Sequence, residues 1–434
     1  MRKRIFLLLT LAAICFLGAC QIRTVDEMYQ VPKRPESYND LQRVMEASMS
    51  GMDYSAPKTG DNRQTVQMAD LDGDGIREYL LFTKSNGDKP LQILIFSQKD
   101  DSVVLTDTIA CSGTSFDLVE YAQMDGSGGM EIIVGCQLSQ QVTRSVSVYS
   151  FKGTTTEKIM SANYIKFLTC DLDGDSHMEL VVFSPSSEEE AYTVAERYYF
   201  SNGNIACSSK VKTSAPTANL KRITAGVLHG GVPGIFVASV VDANNVISDV
   251  LTLVNGQFKN VAAKSTQGLS NSHIFADDIE DDGELELPYL IPMRPVEQGD
   301  LVDTQYLIRW YSVDQRGREA DKMYTYHDTS GGWYIKLDPT WANKISVCQK
   351  GDEFEFYLWD EDNHSAQKIF SIFAFTGQNR EEQAVQDNRF TVYKNDSVIY
   401  AARLEVASGA LCITQNDLIE TFRLIQKDWK AGEI

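Results

Sequence analysis

The chain is short of the residues and spacings that mark a reactive centre. Its 434 residues include five histidines, His177, His229, His273, His327 and His364. None falls in H-E-x-x-H or another metal-ligand spacing. There is no G-x-S-x-G elbow and no phosphate-cradling glycine loop. Of eight cysteines, none is close enough to another to form a C-x-x-C metal or redox signature. Cys170 and Cys412 lie in the apolar runs KFLTCDL and ALCIT and read as small buried hydrophobes. Cys111, Cys136, Cys207 and Cys348 complete the set beyond the N-terminal segment, and one or two disulfides are open to an oxidising compartment. Proline is scarce, at 11, and positive charge is in deficit, with 40 Lys and Arg against 60 Asp and Glu. The net charge is −20, and removing the +3 carried by Arg2, Lys3 and Arg4 leaves −23. So acidic a surface repels phosphate backbones, which bind through Lys and Arg contacts and released counterions. Nucleic acid is therefore not the expected partner, and cations are favoured.

What is present suits a folded, exported protein. Hydrophobic residues make up 43% and aromatics 10%, ample for a large core or several small ones. The start, MRKRIFLLLTLAAICFLGAC, combines a basic end, an apolar run from Ile5 to Leu17 and small residues before Cys20. This is the plan of a secretory signal and is short for a spanning helix. The ending Leu17-Gly18-Ala19-Cys20 resembles the lipobox of bacterial lipoproteins. That resemblance implies a signal peptide over 1–19, cleavage before Cys20 and a diacylglyceryl thioether on its sulfur. Two acyl chains anchor more firmly than one, so the expected setting is extracytoplasmic, lipid-anchored to the cell membrane. Cys15 leaves with the signal.

Internal repetition organises the rest. Residues 70–82 read DLDGDGIREYLLF, and the outline returns in YAQMDGSGGMEIIVG (121–135), TCDLDGDSHMELVVF (169–183) and ADDIEDDGELELPYLI (276–291). A worn copy, ITAGVLHGGVPGIFVA, occupies 223–238. Aligning Glu78, Glu131, Glu179, Gly234 and Glu286 gives steps of 53, 48, 55 and 52 residues. Between the loops lie alternating apolar runs such as YLLFTK, LQILIFSQ and SVVLTDTIAC, which read as strands. With QTVQMA they make four strands per repeat, the plan of a β-propeller blade. WYIKLDPTWANKISVCQ (333–349) and RFTVYKNDSVIYAARLEV (389–406) read as openings of two further blades. The expectation is an all-β propeller over 60–434, with repeats of about 52 residues and about seven four-stranded blades. Six blades plus a C-terminal cap is the alternative. A tether and helix fill 20–59. Helical spacing appears in SYNDLQRVMEASMSGM (37–52) and NDLIETFRLIQKDW (416–429).

The recurring D-x-D-G-D-G-x-x-E before an apolar strand resembles the FG-GAP/VCBS-type repeats of integrin-like propellers. The first and third repeats match well; the second and fourth depart. The resemblance implies loops that join neighbouring strands of a blade and hold calcium. The chemistry agrees. Calcium takes six to eight hard oxygen ligands, and a tight loop offers side chains at positions one, three and five, a carbonyl at seven and a carboxylate at nine. Glycine at position four or six permits the left-handed backbone that wraps an ion. The first loop supplies Asp70, Asp72, Asp74, the Ile76 carbonyl and Glu78. The third supplies Asp171, Asp173, Asp175 and Glu179, and the fifth Asp278, Glu280, Asp282 and Glu286. The second is weaker, with Asp125, Ser127 and Glu131 and with Gln123 at position one. The fourth, with Gly226, Leu228 and Gly230, should bind nothing. An EF-hand is excluded, because position twelve is Leu81 and strands flank the loop.

YHDTSGGW (326–333) weakly resembles the Asp-box turn of sialidase propellers through Asp328 and Trp333. Trp310, Trp333, Trp341 and Trp359 crowd the later repeats and read mainly as blade-packing aromatics, with a sugar or peptide platform as the other reading. The function expected is a calcium-stabilised binding or scaffold module for a protein or glycan partner, with no catalysis of its own. The alternative is an extracytoplasmic polysaccharide hydrolase or lyase, and a third is a structural lipoprotein serving envelope assembly.

Overall fold

A computed structural model describes residues 36–99, 102–138, 144–187, 191–208, 210–242, 245–267, 274–296, 304–342, 344–360, 365–405 and 412–425. Within them the chain folds into six antiparallel sheets of four or five strands, laid out in chain order. The reason lies in burial on both faces. Strands such as Glu78–Lys84 and Leu91–Lys99 are apolar on successive residues, because each sheet packs against a sheet or cap on either side.

Sheet one holds Val66–Ala69, Glu78–Lys84, Leu91–Lys99 and Ser102–Cys111, the four strands expected of the first repeat. It also starts earlier than residue 60, since Asp53 and Tyr54 pair with Lys84 and Thr83. Sheet two (Ser115–Ala122, Glu131–Gln137, Arg144–Phe151, Thr156–Tyr164) and sheet four (Leu220–Leu228, Val232–Asp242, Asn245–Val254, Gln257–Gln267) are four-stranded. Sheet three opens with Lys166–Cys170, Glu179–Pro185 and Tyr192–Ser201. Its expected last strand is split into Asn204–Cys207 and Val211–Pro216, both pairing with Tyr192–Ser201.

The seventh blade is not there among the described residues. Trp333–Leu337 is the fourth strand of sheet five, behind Leu287–Pro292, Tyr306–Val313 and Glu319–Asp328, and Ile345–Lys350 begins sheet six. Phe390–Lys394 and Val398–Leu404 finish sheet six, after Glu353–Asp360 and Ser365–Thr376. Spacing in the sequence placed strands there, but 333–349 is no single opening, because its two strands belong to sheets five and six, whereas the strands of 389–406 do pair. The C-terminal helix is likewise shorter than its periodicity. It covers Gln415–Thr421, with a capping box between Thr414 and Asp417. The chain then turns extended, and Phe422–Leu424 pairs with Trp333–Ile335 as a fifth strand of sheet five. Burial of Phe422 beside Trp333, with ring centroids 5.4 Å apart, outweighs a helical continuation. The N-terminal helix is Glu36–Ser48. Cys20 and the whole signal region lie outside the described residues, as does 426–429 of the expected helix.

Core packing runs in series. Separate apolar clusters join sheet one to two, two to three, three to four, four to five and five to six. The outward face of sheet one (Leu81, Leu94, Phe96) is covered by Leu41 and Met45 of the N-terminal helix. Ala384 packs on Ile399 and Ala401 of sheet six. Among the described residues no core cluster joins sheet six to sheet one. The architecture is an all-β, propeller-like succession of sheets.

Candidate metal loops

The acidic repeats are the connections that enter the second strand of sheets one, two and three and the first named strand of sheet five. Their backbones are alike. The closing glutamate is buried and accepts the amide of position two: Glu78 from Leu71 at 2.9 Å, Glu131 from Met124 at 2.9 Å, Glu179 from Leu172 at 2.6 Å and Glu286 from Ile279 at 3.2 Å. Position two is an apolar side chain sunk in the core in all four loops, which fixes the approach. Positions four and six are left-handed throughout: Gly73 and Gly75, Gly126 and Gly128, Gly174 and Ser176, Asp281 and Gly283. Glycine is needed at position four of loop one. A Cβ on Gly73 would sit 2.6 Å from the Gly128 carbonyl carbon.

Position one organises the turn. Asp70 accepts the amides of Gly73 and Gly75 at 2.8 and 3.0 Å, Asp171 those of Gly174 and Ser176, and Asp278 those of Asp282 and Gly283. Position five repeats the device locally: Asp74 accepts from Ile76, Asp175 from His177 and Asp282 from Glu284. Asp125 accepts from Ser127 at 2.8 Å in the second loop. Carboxylate oxygens then gather within 4.8 Å of one another in three places: Asp70, Asp72 and Glu78; Asp171, Asp173 and Glu179; Glu280, Asp282 and Glu286. Such hard-oxygen sets are able to hold a metal ion. Asp74, Asp175 and Asp278 stand outside these groups, spent on the turn itself, and the Ile76 side chain faces solvent. The worn fourth copy is a tight hairpin, with Gly226 and Leu228 inside a strand.

The loops differ in what balances their charge. In the third, the buried guanidinium of Arg197 from the neighbouring strand lies on both Asp173 and Glu179. In the fifth, Lys322 Nζ reaches Asp282 at 2.9 Å, Glu284 at 3.1 Å and Glu280 at 3.7 Å. Lys152 stands 3.9 Å from Asp125 in the second. The carboxylates of Asp70, Asp72, Asp74 and Glu78 have no ion pair among the described residues. Burial raises the Glu78 carboxyl above its ordinary value, and Asp72 and Asp74 add to the rise. Burial pushes Glu286 up to about 7, and its Oε1 is buried without a partner. Burial also raises Glu179, against the pull of Arg197. Arg197 and Lys322 escaped sequence reading. The available signal was a lone cation inside an apolar strand, as in TVAERYYF and EADKMYTY.

Successive loops are also stitched together. The position-eight amide of Met130 donates to the position-one carbonyl of Asp70 at 3.0 Å, and that of Met178 to Gln123 at 2.8 Å. In the fourth copy position eight is Pro233, which has no amide proton to give. Leu285 resumes the stitching one residue along, donating to Val227 at position two of the fourth copy at 2.8 Å.

Other sequence features resolve structurally. Trp310 and Trp333 are fully buried, packing rather than forming a platform; Trp341 is partly buried against the sheet five–six core, and Arg294 lies over the Trp359 ring. YHDTSGGW is a hairpin end in which Asp328 accepts from Ser330 and Gly331 amides. His327 is buried beside Thr325, and its burial drops its pKa to about 3. His177 and His229 face Asp175 and Glu284, while His273 and His364 lie outside the described residues.

No protein-family model matches the chain, and no curated protein matches it. Among solved structures it is similar to an exotype rhamnogalacturonan lyase, at 15% identity over 74% of this chain and 65% of that one, with a TM-score of 0.30. It thus spans just under two thirds of that lyase. A Bacillus licheniformis rhamnogalacturonan lyase gives 16%, 73%, 72% and 0.29 for the same four measures. A 6-phosphogluconolactonase-like protein of Bacteroides fragilis gives 9%, 73%, 93% and 0.28. These neighbours are propeller-like β-sheet proteins. At such scores they carry no argument about activity, and the fold rests on this chain's own sheets.

Proposed function

We propose that the chain is an extracytoplasmic lipoprotein, anchored to the cell membrane through Cys20. Its propeller-like body would be a calcium-stapled binding or scaffold module of the FG-GAP/VCBS kind, presenting loops to a protein or glycan partner. The observation that carries the metal reading is the first loop. Three carboxylates converge there, one of them buried, with no cation among the described residues paired to them. Uncompensated, they repel one another. The third loop supplies the comparison, because there the same constellation is answered by Arg197. The donors are all hard oxygens, which suit calcium. Asp70, Asp72 and Glu78 would hold the ion, which supplies the positive charge the loop lacks. The fifth loop is second in order, since Lys322 would have to swing aside, and the third is last because its cation is buried.

A scaffold role fits the way other acids are engaged. Glu353 and Glu355, which converge beside Tyr357, are tied by Lys368, Lys350 and Arg403. The polysaccharide hydrolase or lyase reading calls for acids left free beside aromatics.

Melting the detergent-solubilised chain in millimolar calcium and in excess chelator tests the reading. The expected outcome is a fall of several degrees in chelator, restored by calcium more than by magnesium. An unchanged midpoint, with no calcium bound to the purified protein, overturns it. Cys20→Ala should release the protein from the membrane fraction; retention there would refute the anchor.

A further inference from the structure

The two sheets that meet first along the chain are joined by more than apolar contact. Cys111 ends the last strand of sheet one, opposite Leu91. Cys136 sits in the second strand of sheet two, opposite Phe116 and Ser145. Both side chains point into the core shared by these sheets and are 5% and 4% exposed. The two thiols face each other within that core, and the Tyr149 hydroxyl is 3.7 Å from the Cys111 sulfur. The backbone between them is held close. Thr114 donates to the Gln137 carbonyl at 2.7 Å, and a Cβ placed on Gly113 would be 3.4 Å from the Cys136 Cβ.

We propose that Cys111 and Cys136 are a disulfide-forming pair that closes covalently between sheets one and two when the chain folds under oxidising conditions. Closure requires a sulfur–sulfur bond of about 2.05 Å between two side chains of the same core cluster. The chemistry is thiol–disulfide exchange. The Cys111 thiolate attacks one sulfur of a disulfide-bearing oxidant, forming a mixed disulfide and expelling one thiolate. Cys136 then loses its proton and attacks the Cys111 sulfur, expelling the oxidant's second thiolate. Two cysteine thiols become one disulfide, and the oxidant is reduced to two thiols, which take up the two protons. Because both sulfurs are buried in the finished core, the exchange belongs to the stage before sheet two docks on sheet one. The closed ring of roughly 25 residues contains the whole second acidic loop.

The pairing depends on an oxidising setting and so shares the extracytoplasmic reading above, but its test separates the two. The purified full chain is refolded in excess oxidised glutathione, alkylated under denaturing conditions and digested without reduction. The expected result is a peptide pair joined through Cys111 and Cys136, lighter by two hydrogens than the free peptides, with a melting point several degrees lower after reduction. In Cys111→Ser or Cys136→Ser that shift on reduction should vanish. Should either variant fail to fold, the alkylation pattern of the unsubstituted chain decides alone. Both cysteines alkylated in the oxidised chain, or bonds to other cysteines instead, overturn the proposal. A bond that forms in glutathione but is missing from protein taken directly from cells upholds the pair and counts against the extracytoplasmic setting.

Discussion

Loops one and three share a backbone down to individual hydrogen bonds, and they differ in a single supply of charge. Each has an aspartate at position one that gathers two amides, a buried apolar residue at position two and a buried glutamate at position nine. In loop three Arg197 completes the set from inside the protein; in loop one nothing among the described residues does. Backbone shape and ion balance are therefore separable properties of the repeat. Hydrogen bonds within the loop secure the first, and a strand neighbour or a bound cation secures the second.

The comparison breaks most severely if Arg197 is removed. Arg197→Met leaves Glu179 and Asp173 without their cation, and losing one partner of a buried pair costs about 3–5 kcal/mol. Chemical denaturation in chelator should show that loss. Added calcium should recover part of it, by making loop three resemble loop one. Next is Gly129→Ala, whose Cβ would lie 2.3 Å from the Leu71 carbonyl oxygen. Overpacking against backbone costs about 1–3 kcal/mol, and the calcium response of loop one should weaken with it. A wild-type denaturation curve would show the loops are not in register as described.

Glu78→Gln sharpens the comparison at smaller scale. The amide side chain can still accept from Leu71 but no longer carries a buried charge, so in chelator the variant should equal or exceed wild type. In millimolar calcium it should lose about 1.4 kcal/mol if the site's dissociation constant is near 0.1 mM. Parallel losses in both buffers would disprove the ionic role. The smallest effect is expected from Lys322→Gln. Its pairs are partly solvated, and exposed ion pairs contribute about 0–1 kcal/mol, but isothermal titration should show tighter calcium binding once the ammonium is gone. Unaltered titration would mean that Lys322 does not compete with the ion.

Much of this was legible beforehand. The period of the acidic loops gave the sheet order through the fifth repeat, because an Asp-Gly-rich turn before an apolar run is a local signal and each loop is a local structure. The left-handed glycines were legible for the same reason. The end of the succession of sheets was not. Trp333–Leu337 and Phe422–Leu424 share a sheet across more than eighty positions of sequence, and no local pattern announces so distant a pairing. Asp70, Asp72 and Glu78 converge as the spacing suggested, whereas Asp74, Asp175 and Asp278 lie outside the three carboxylate groups. An aspartate whose carboxylate joins such a group is indistinguishable in sequence from one whose carboxylate does not. Arg197 and Lys322 went unread because they reach the loops from strands that are neighbours only in space.

The serial packing of the cores bears on how the chain is made. Each sheet finishes its interior against the one synthesised just before it, and the N-terminal helix covers the exposed face of the first. A growing chain can therefore consolidate in the order it is made, with little apolar surface waiting for a late partner. The exception is Phe422, which must travel back to Trp333 in sheet five after sheet six has formed. That return is the last latch, and until it closes the Trp333–Leu337 strand lacks its edge partner.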